Sequence, residues 1–146
     1  MEYNHALYYI QKSIKQNKRN SIGYHNLANI LRSTGMYKDA INYYHKSLEI
    51  KPKQIETLSS LGLTYYDISK NNEGMKYFKN ILTIDKKYFA AKRNLAIGLY
   101  KTGNFKKAIQ LFKETLDHLP NCITSVYNLH QLSSLDKSLD HKELFK

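Results

Sequence analysis

Asparagine stands at Asn26, Asn94 and Asn128, separated by multiples of 34 residues, with Ser60 at the intervening step. A side-chain amide carries two N–H donors and an acceptor oxygen, so a ladder of amides can bond the backbone of an extended peptide without reading its sequence. The same register gathers His25, Asn29 and Arg32 around the first amide, and Ser59, Leu63 and Tyr66 around Ser60. It gathers Arg93, Ile97, Tyr100 and Lys101 around Asn94, and Tyr127 and Gln131 around Asn128. Arginine and aromatic side chains are the usual anchors of a binding surface. This is recognition chemistry, and nothing beside it makes or breaks bonds. The histidines, His5, His25, His45, His118, His130 and His141, show no metal-ligand spacing, and neither a nucleophile motif nor a glycine-rich phosphate loop is present. The chain is therefore expected to be non-enzymatic, with no cofactor and no metal.

The composition narrows the class. At 146 residues with 42% apolar content and 13 tyrosines, the chain can bury a core. No uncharged apolar run reaches the roughly 18 residues that span a bilayer, and the N-terminus lacks a signal-peptide pattern. A single cysteine, Cys122, excludes an internal disulfide and fits a reducing compartment, so a cytoplasmic location is expected. The formal charge is +11, but only Arg19, Arg32 and Arg93 among the 23 basic residues are arginine. Lys38, Lys46, Lys76, Lys79, Lys106, Lys107 and Lys113 fall on second helices and Lys51, Lys53, Lys86 and Lys87 in turns, as a solvating coat. Such a coat binds RNA weakly and non-specifically at low salt and is expected to release it near physiological salt; tight, salt-resistant binding in a filter assay would contradict this.

The elements that position these residues repeat. Leu27, Leu61, Leu95 and Leu129 are 34 residues apart, as are Leu48, Leu82 and Leu116, which signals stacked supersecondary units. In Ser21–Gln54, the apolar spacing predicts helices over Ile22–Ser33 and Lys38–Ile50, with Gly35 between them and Pro52 after them. The whole chain then divides as one array. Residues 1–20 form the second helix of a truncated repeat; 21–54, 55–88 and 89–122 are full repeats; and 123–146 form a capping helix with a more polar outer face and a weakly helical tail around Asp140–Phe145. The copy at 55–88 departs from the pattern at Ser69, Asn71, Gly74 and Lys86, and is expected to be the least rigid. Lys92 is expected to lay its stem on apolar surface with its ammonium in water. Met1 falls at the turn of a repeat whose first helix is missing. The stripe from Tyr3 to Ile14 is therefore expected to be sealed by another molecule, a dimer through the N-terminal half repeat among the candidates.

Tyr24, Leu27, Ala28, Leu31, Gly35, Tyr37, Ala40, Tyr44, Leu48 and Pro52 resemble, in register, the tetratricopeptide repeat. The resemblance implies an all-α, right-handed superhelical solenoid of antiparallel helix pairs, whose first helices line a concave groove. The implied function is a protein-interaction scaffold that binds an extended peptide or partner helix, with the asparagines as its ladder; the competing reading is that asparagine simply suits this position. Similarity to the carboxylate clamp of heat-shock cochaperones fails on residues. Asn29 fits one place, but His25, Ser60, Ala90 and Asn94 hold others, and two of the needed cations are missing. Finally, ITSVYNLHQL resembles the junction that precedes sulfotransferase-like or glycosyltransferase domains, so the alternative is the binding arm of a larger enzyme truncated here.

Overall fold

The computed structural model describes residues 2–135; the tail expected around Asp140–Phe145 lies outside them, as do the side chains of Tyr3 and Ala6. Eight helices and no strands make up the described residues: α1 (Glu2–Gln16), α2 (Ser21–Ser33), α3 (Tyr37–Ile50), α4 (Ile55–Asp67), α5 (Asn71–Ile84), α6 (Phe89–Lys101), α7 (Phe105–His118) and α8 (Ile123–Leu135). The chain forms two compact units, Met1–Tyr77 and Phe78–Lys146.

Each tight turn inside a repeat closes in the same way. The amides of Met36, Lys70 and Asn104 donate to the carbonyls of Leu31, Tyr65 and Leu99, all at 2.8 Å. This six-residue closure needs one left-handed residue after the helix. Gly35 and Gly103 supply it with φ of 79°, and Ser69 takes it with φ of 60°. The turn thus survives the loss of its glycine, at the cost of a side chain in a region L-residues avoid. Ser69→Gly should stabilise the protein by about 0.5–1 kcal/mol, read as a raised urea midpoint at constant slope. The turn that lost its proline is kept by Asp85, whose carboxylate accepts the Lys87 amide at 2.8 Å.

In the first unit, Leu27, Ala28, Leu31, Ala40, Tyr44 and Leu61 form the core, with Leu7, Ile10 and Ile14 of α1 packed partly against it. Part of the α1 stripe is therefore covered from within the chain. Asn20 fixes the α1–α2 junction: its side-chain oxygen accepts the Gly23 amide at 2.8 Å, and its amide donates to Ser13 Oγ at 2.8 Å. In the second unit, Ala96, Ala108, Phe112, Leu129 and Leu132 form the core. Alanine or glycine at 28, 62 and 96, and at 40, 74 and 108, is buried throughout, and Tyr44, Phe78 and Phe112 are fully enclosed. Small residues let the helix axes approach, and the rings fill the remaining space.

The half-buried Lys92 is also paired: its Nζ bonds Glu114 Oε2 at 2.9 Å and lies 5.7 Å from the Phe89 ring centroid. That hydrogen bond, outweighing partial burial, holds the Glu114 carboxyl below its ordinary range. The exposed residues of α8 are mixed, with Ile123 at 82% and Tyr127 at 60% beside Thr124 and His130.

Candidate functional site

In the first unit a chain of hydrogen bonds runs from the buried core to the face of α2. The Tyr44 hydroxyl, fully enclosed, donates to Asn29 Oδ1 at 2.6 Å. That contact turns the Asn29 amide nitrogen toward His25 Nε2, 2.9 Å away. Nε2 must then accept, so the ring proton sits on Nδ1 and is donated to Thr57 Oγ1 at 3.0 Å. Thr57 in turn lies 3.4 Å from Ser47 Oγ, whose own proton goes to the Ser21 carbonyl at 2.8 Å. Every hydroxyl and ring nitrogen in the series therefore has one direction of donation. Burial lowers the His25 pKa, against a smaller opposing effect of Glu56. Burial raises the Tyr44 pKa. Both groups are held neutral, as the network requires.

Asn29 itself is exposed. Tyr44 and His25 use two of its hydrogen-bonding positions, so its plane is fixed. Asn26 is exposed on the same helix, Ser60 is half-buried on α4, and Arg32 of α2 pairs its Nε with Asp67 Oδ2 of α4 at 2.7 Å. Tyr66 does not join this face. It is 7% exposed, its ring lies where a Cβ on Gly74 would stand, and burial drives its hydroxyl pKa upward.

In the second unit the expected residues are placed unequally. Asn94 is 7% exposed, and Asn128 turns its amide onto its own helix, donating to the Thr124 carbonyl at 2.7 Å. Of the three ladder asparagines, Asn26 alone is fully on the surface. Tyr100 is half-buried with its ring 6.0 Å from Phe105, whereas Lys101 and Tyr127 are exposed. Arg93 has its Nε buried without a hydrogen-bond partner. Its guanidinium neighbours Cys122, which receives the Ser125 hydroxyl at 3.3 Å and the Val126 and Ser125 amides through its carbonyl. Burial pushes the Cys122 thiol up, but Ser125 and Arg93 together outweigh it and leave the thiol below its ordinary value. Among the described residues no group of three or more His, Cys, Asp or Glu is placed to hold a metal, and no helix is long and apolar enough to cross a membrane.

Reasoning from sequence missed the hydroxyl series Ser47–Thr57 that orients His25. The available signal was that Gly23, Thr57, Ala91 and Ser125, all small and all buried, share the 34-residue spacing.

Comparison with known proteins agrees with this architecture. Family models described as tetratricopeptide repeat match residues 21–54 and 69–132. The tetratricopeptide repeat-containing protein trd-1 of Caenorhabditis elegans is 24% identical over 113 residues, covering 77% of this chain but only 15% of that protein. Among solved structures, MamA 41-end from Desulfovibrio magneticus RS-1 superposes with a TM-score of 0.85 at 17% identity, over 97% of this chain and 79% of that one. PilW, a type IV pilus biogenesis factor, gives 0.80 at 24% identity, over 91% and 62%. The first tetratricopeptide repeat domain of Spaghetti (RPAP3), solved with the HSP90 peptide SRMEEVD, gives 0.74 at 16% identity, over 79% and 91%. At these identities the structures share a fold. With these two matches joined to the 34-residue period, the repeated turn closure and the small-residue crossings, the chain belongs to the tetratricopeptide repeat family.

Proposed function

We propose that this protein is a non-enzymatic, cytoplasmic interaction module that binds an extended peptide or a partner helix along its first helices, with Asn29 and Asn26 of α2 as the polar anchor. The observation that carries this reading is the fixed amide of Asn29, an exposed side chain locked from below by Tyr44 and His25. An amide whose orientation is set before binding loses little freedom when it meets a peptide backbone. Arg32, Ser60 and His25 flank it in the first unit; Arg93, Tyr100, Tyr127 and Asn128 are the corresponding positions of the second, with Lys101 beside Tyr100. The related fold that was solved with a bound peptide supports peptide binding as a use of this architecture. It does not transfer that peptide, because two of the cations that a carboxylate clamp needs are missing here.

Selection of peptides from a random phage-displayed library, followed by fluorescence anisotropy on the selected sequences, tests this directly. N26A/N29A should weaken the selected peptides about tenfold, the effect of losing one or two backbone hydrogen bonds, while its helical circular dichroism is unchanged. Undiminished affinity in that variant would overturn the reading.

A further inference from the structure

A second surface of the first unit carries its own chemistry and does not depend on the peptide face. Between α1, α2 and α3 lies an open cavity of about 580 Å³. Its floor is Ile14, Leu27, Tyr24 and Tyr43, with the two tyrosine rings stacked on each other at 6.1 Å and 20°. Its rim is basic: Lys12, Lys15 and Lys18 line it, and all three are exposed. From α3, the Lys46 ammonium lies over the Tyr43 ring at 4.8 Å. No carboxylate lines the cavity, and the Arg32–Asp67 and Lys92–Glu114 pairs involve none of these lysines.

The lysine-rich composition does not account for this rim. Thirty-four residues on from Lys12, Lys15 and Lys18 stand Lys46, Glu49 and Pro52, and one repeat further Asn80, Thr83 and Lys86. Only the first copy sets three lysines three residues apart, Lys12 and Lys15 about one turn apart on α1 and Lys18 in the turn that follows it.

We infer that this groove docks an acidic amphipathic helix of a partner protein, its apolar side chains on the tyrosine–leucine floor and its carboxylates against Lys12, Lys15 and Lys18. An apolar groove beside a helix accepts a third helix through anchors at i, i+3, i+4 and i+7, and Lys12 and Lys15 match carboxylates one turn apart. Charge argues against a second copy of this chain. A two-fold pairing would set each lysine rim against its own equivalent in a protein already carrying +11. Nucleic acid is disfavoured by the floor, since Tyr24 and Tyr43 spend their ring faces on each other and on Lys46 and leave little for stacked bases.

The probe is a fluorescein-labelled synthetic amphipathic helix of about 18 residues with leucine on one face and glutamate on its flanks. A lysine-for-glutamate counterpart and a single-stranded oligonucleotide serve as controls. At about 0.15 M salt the glutamate helix should bind. K12E/K15E/K18E should weaken it at least about tenfold and gain affinity for the lysine helix, a reversal that unfolding cannot mimic. Tyr8→Ala, at an exposed position on the cavity wall, should weaken it about threefold. N26A/N29A should leave it unchanged, so this inference and the peptide-face proposal fail separately. Equal binding of the glutamate helix by the triple variant would overturn the proposal. So would competition by the oligonucleotide that ignores Tyr8→Ala, or a dimer by sedimentation that occupies the groove and excludes the helix.

Discussion

Gly74→Ala is expected to destabilise the protein by about 1–2 kcal/mol, although glycine-to-alanine changes inside helices ordinarily stabilise by about 1 kcal/mol. The reversal follows from what a methyl group would meet. A Cβ on Gly74 would stand 2.5 Å from Tyr66 Cε1 and 2.7 Å from the Gly62 carbonyl oxygen. The tyrosine ring sits at the end of a side chain and can swing, but the carbonyl belongs to the backbone of α4 and moves only if the helix does. Overpacking of this kind costs about 1–3 kcal/mol, more than the gain in helix propensity. The equivalent positions Ala40 and Ala108 are enclosed yet tolerate the methyl group. Urea unfolding of G74A should show a lower midpoint with unchanged slope; a higher midpoint would mean that α4 and α5 can separate freely. Tyr66→Leu combined with Gly74→Ala should recover less than half of the loss, because the clash with the Gly62 carbonyl remains.

The same contact explains where reading the sequence succeeded and where it failed. The period, the helix pairs, the small crossings and the buried rings Tyr44, Phe78 and Phe112 were legible because each repeats as an apolar or small residue at fixed spacing. Register alone places Tyr66 on the open face with Arg32 and Tyr100. Register fixes the direction in which a side chain leaves its helix, but not what covers it, and glycine at 74 instead of alanine opens the space its ring fills. Asn26, Asn94 and Asn128 show the same limit, with one register and three degrees of exposure. Ser69 shows the converse: the sequence marks a lost glycine, yet the backbone hydrogen bonds of the turn hold the left-handed conformation without it. Polar networks are the least legible feature. Ser47 and Thr57 break no apolar stripe, and their value lies in partners 26 and 32 residues away.

Thr57→Val is expected to cost about 2 kcal/mol even though it replaces a fully enclosed hydroxyl by a methyl group of the same size. In water-to-oil terms the change favours burial. Within the network it removes the acceptor of the His25 Nδ1 proton and the donor to Ser47 Oγ, leaving the ring nitrogen without its partner. The linked effect is on pH. His25 has a folded pKa below its ordinary value of 6.5, so near and below that pH the unfolded chain binds the proton that the folded chain refuses. Stability contributed by neutral His25 is therefore complete above about pH 6.5 and is lost as pH falls toward the lower folded pKa. Protonation has a local cost as well, because Nε2–H would face the Asn29 N–H across 2.9 Å. Asn29 would then lose the contact that fixes its plane. His25→Gln keeps hydrogen-bonding capacity but cannot titrate, so its stability should fall less than that of the wild-type protein between pH 7.5 and 5.5. Equal losses in the two proteins would show that His25 does not carry the dependence.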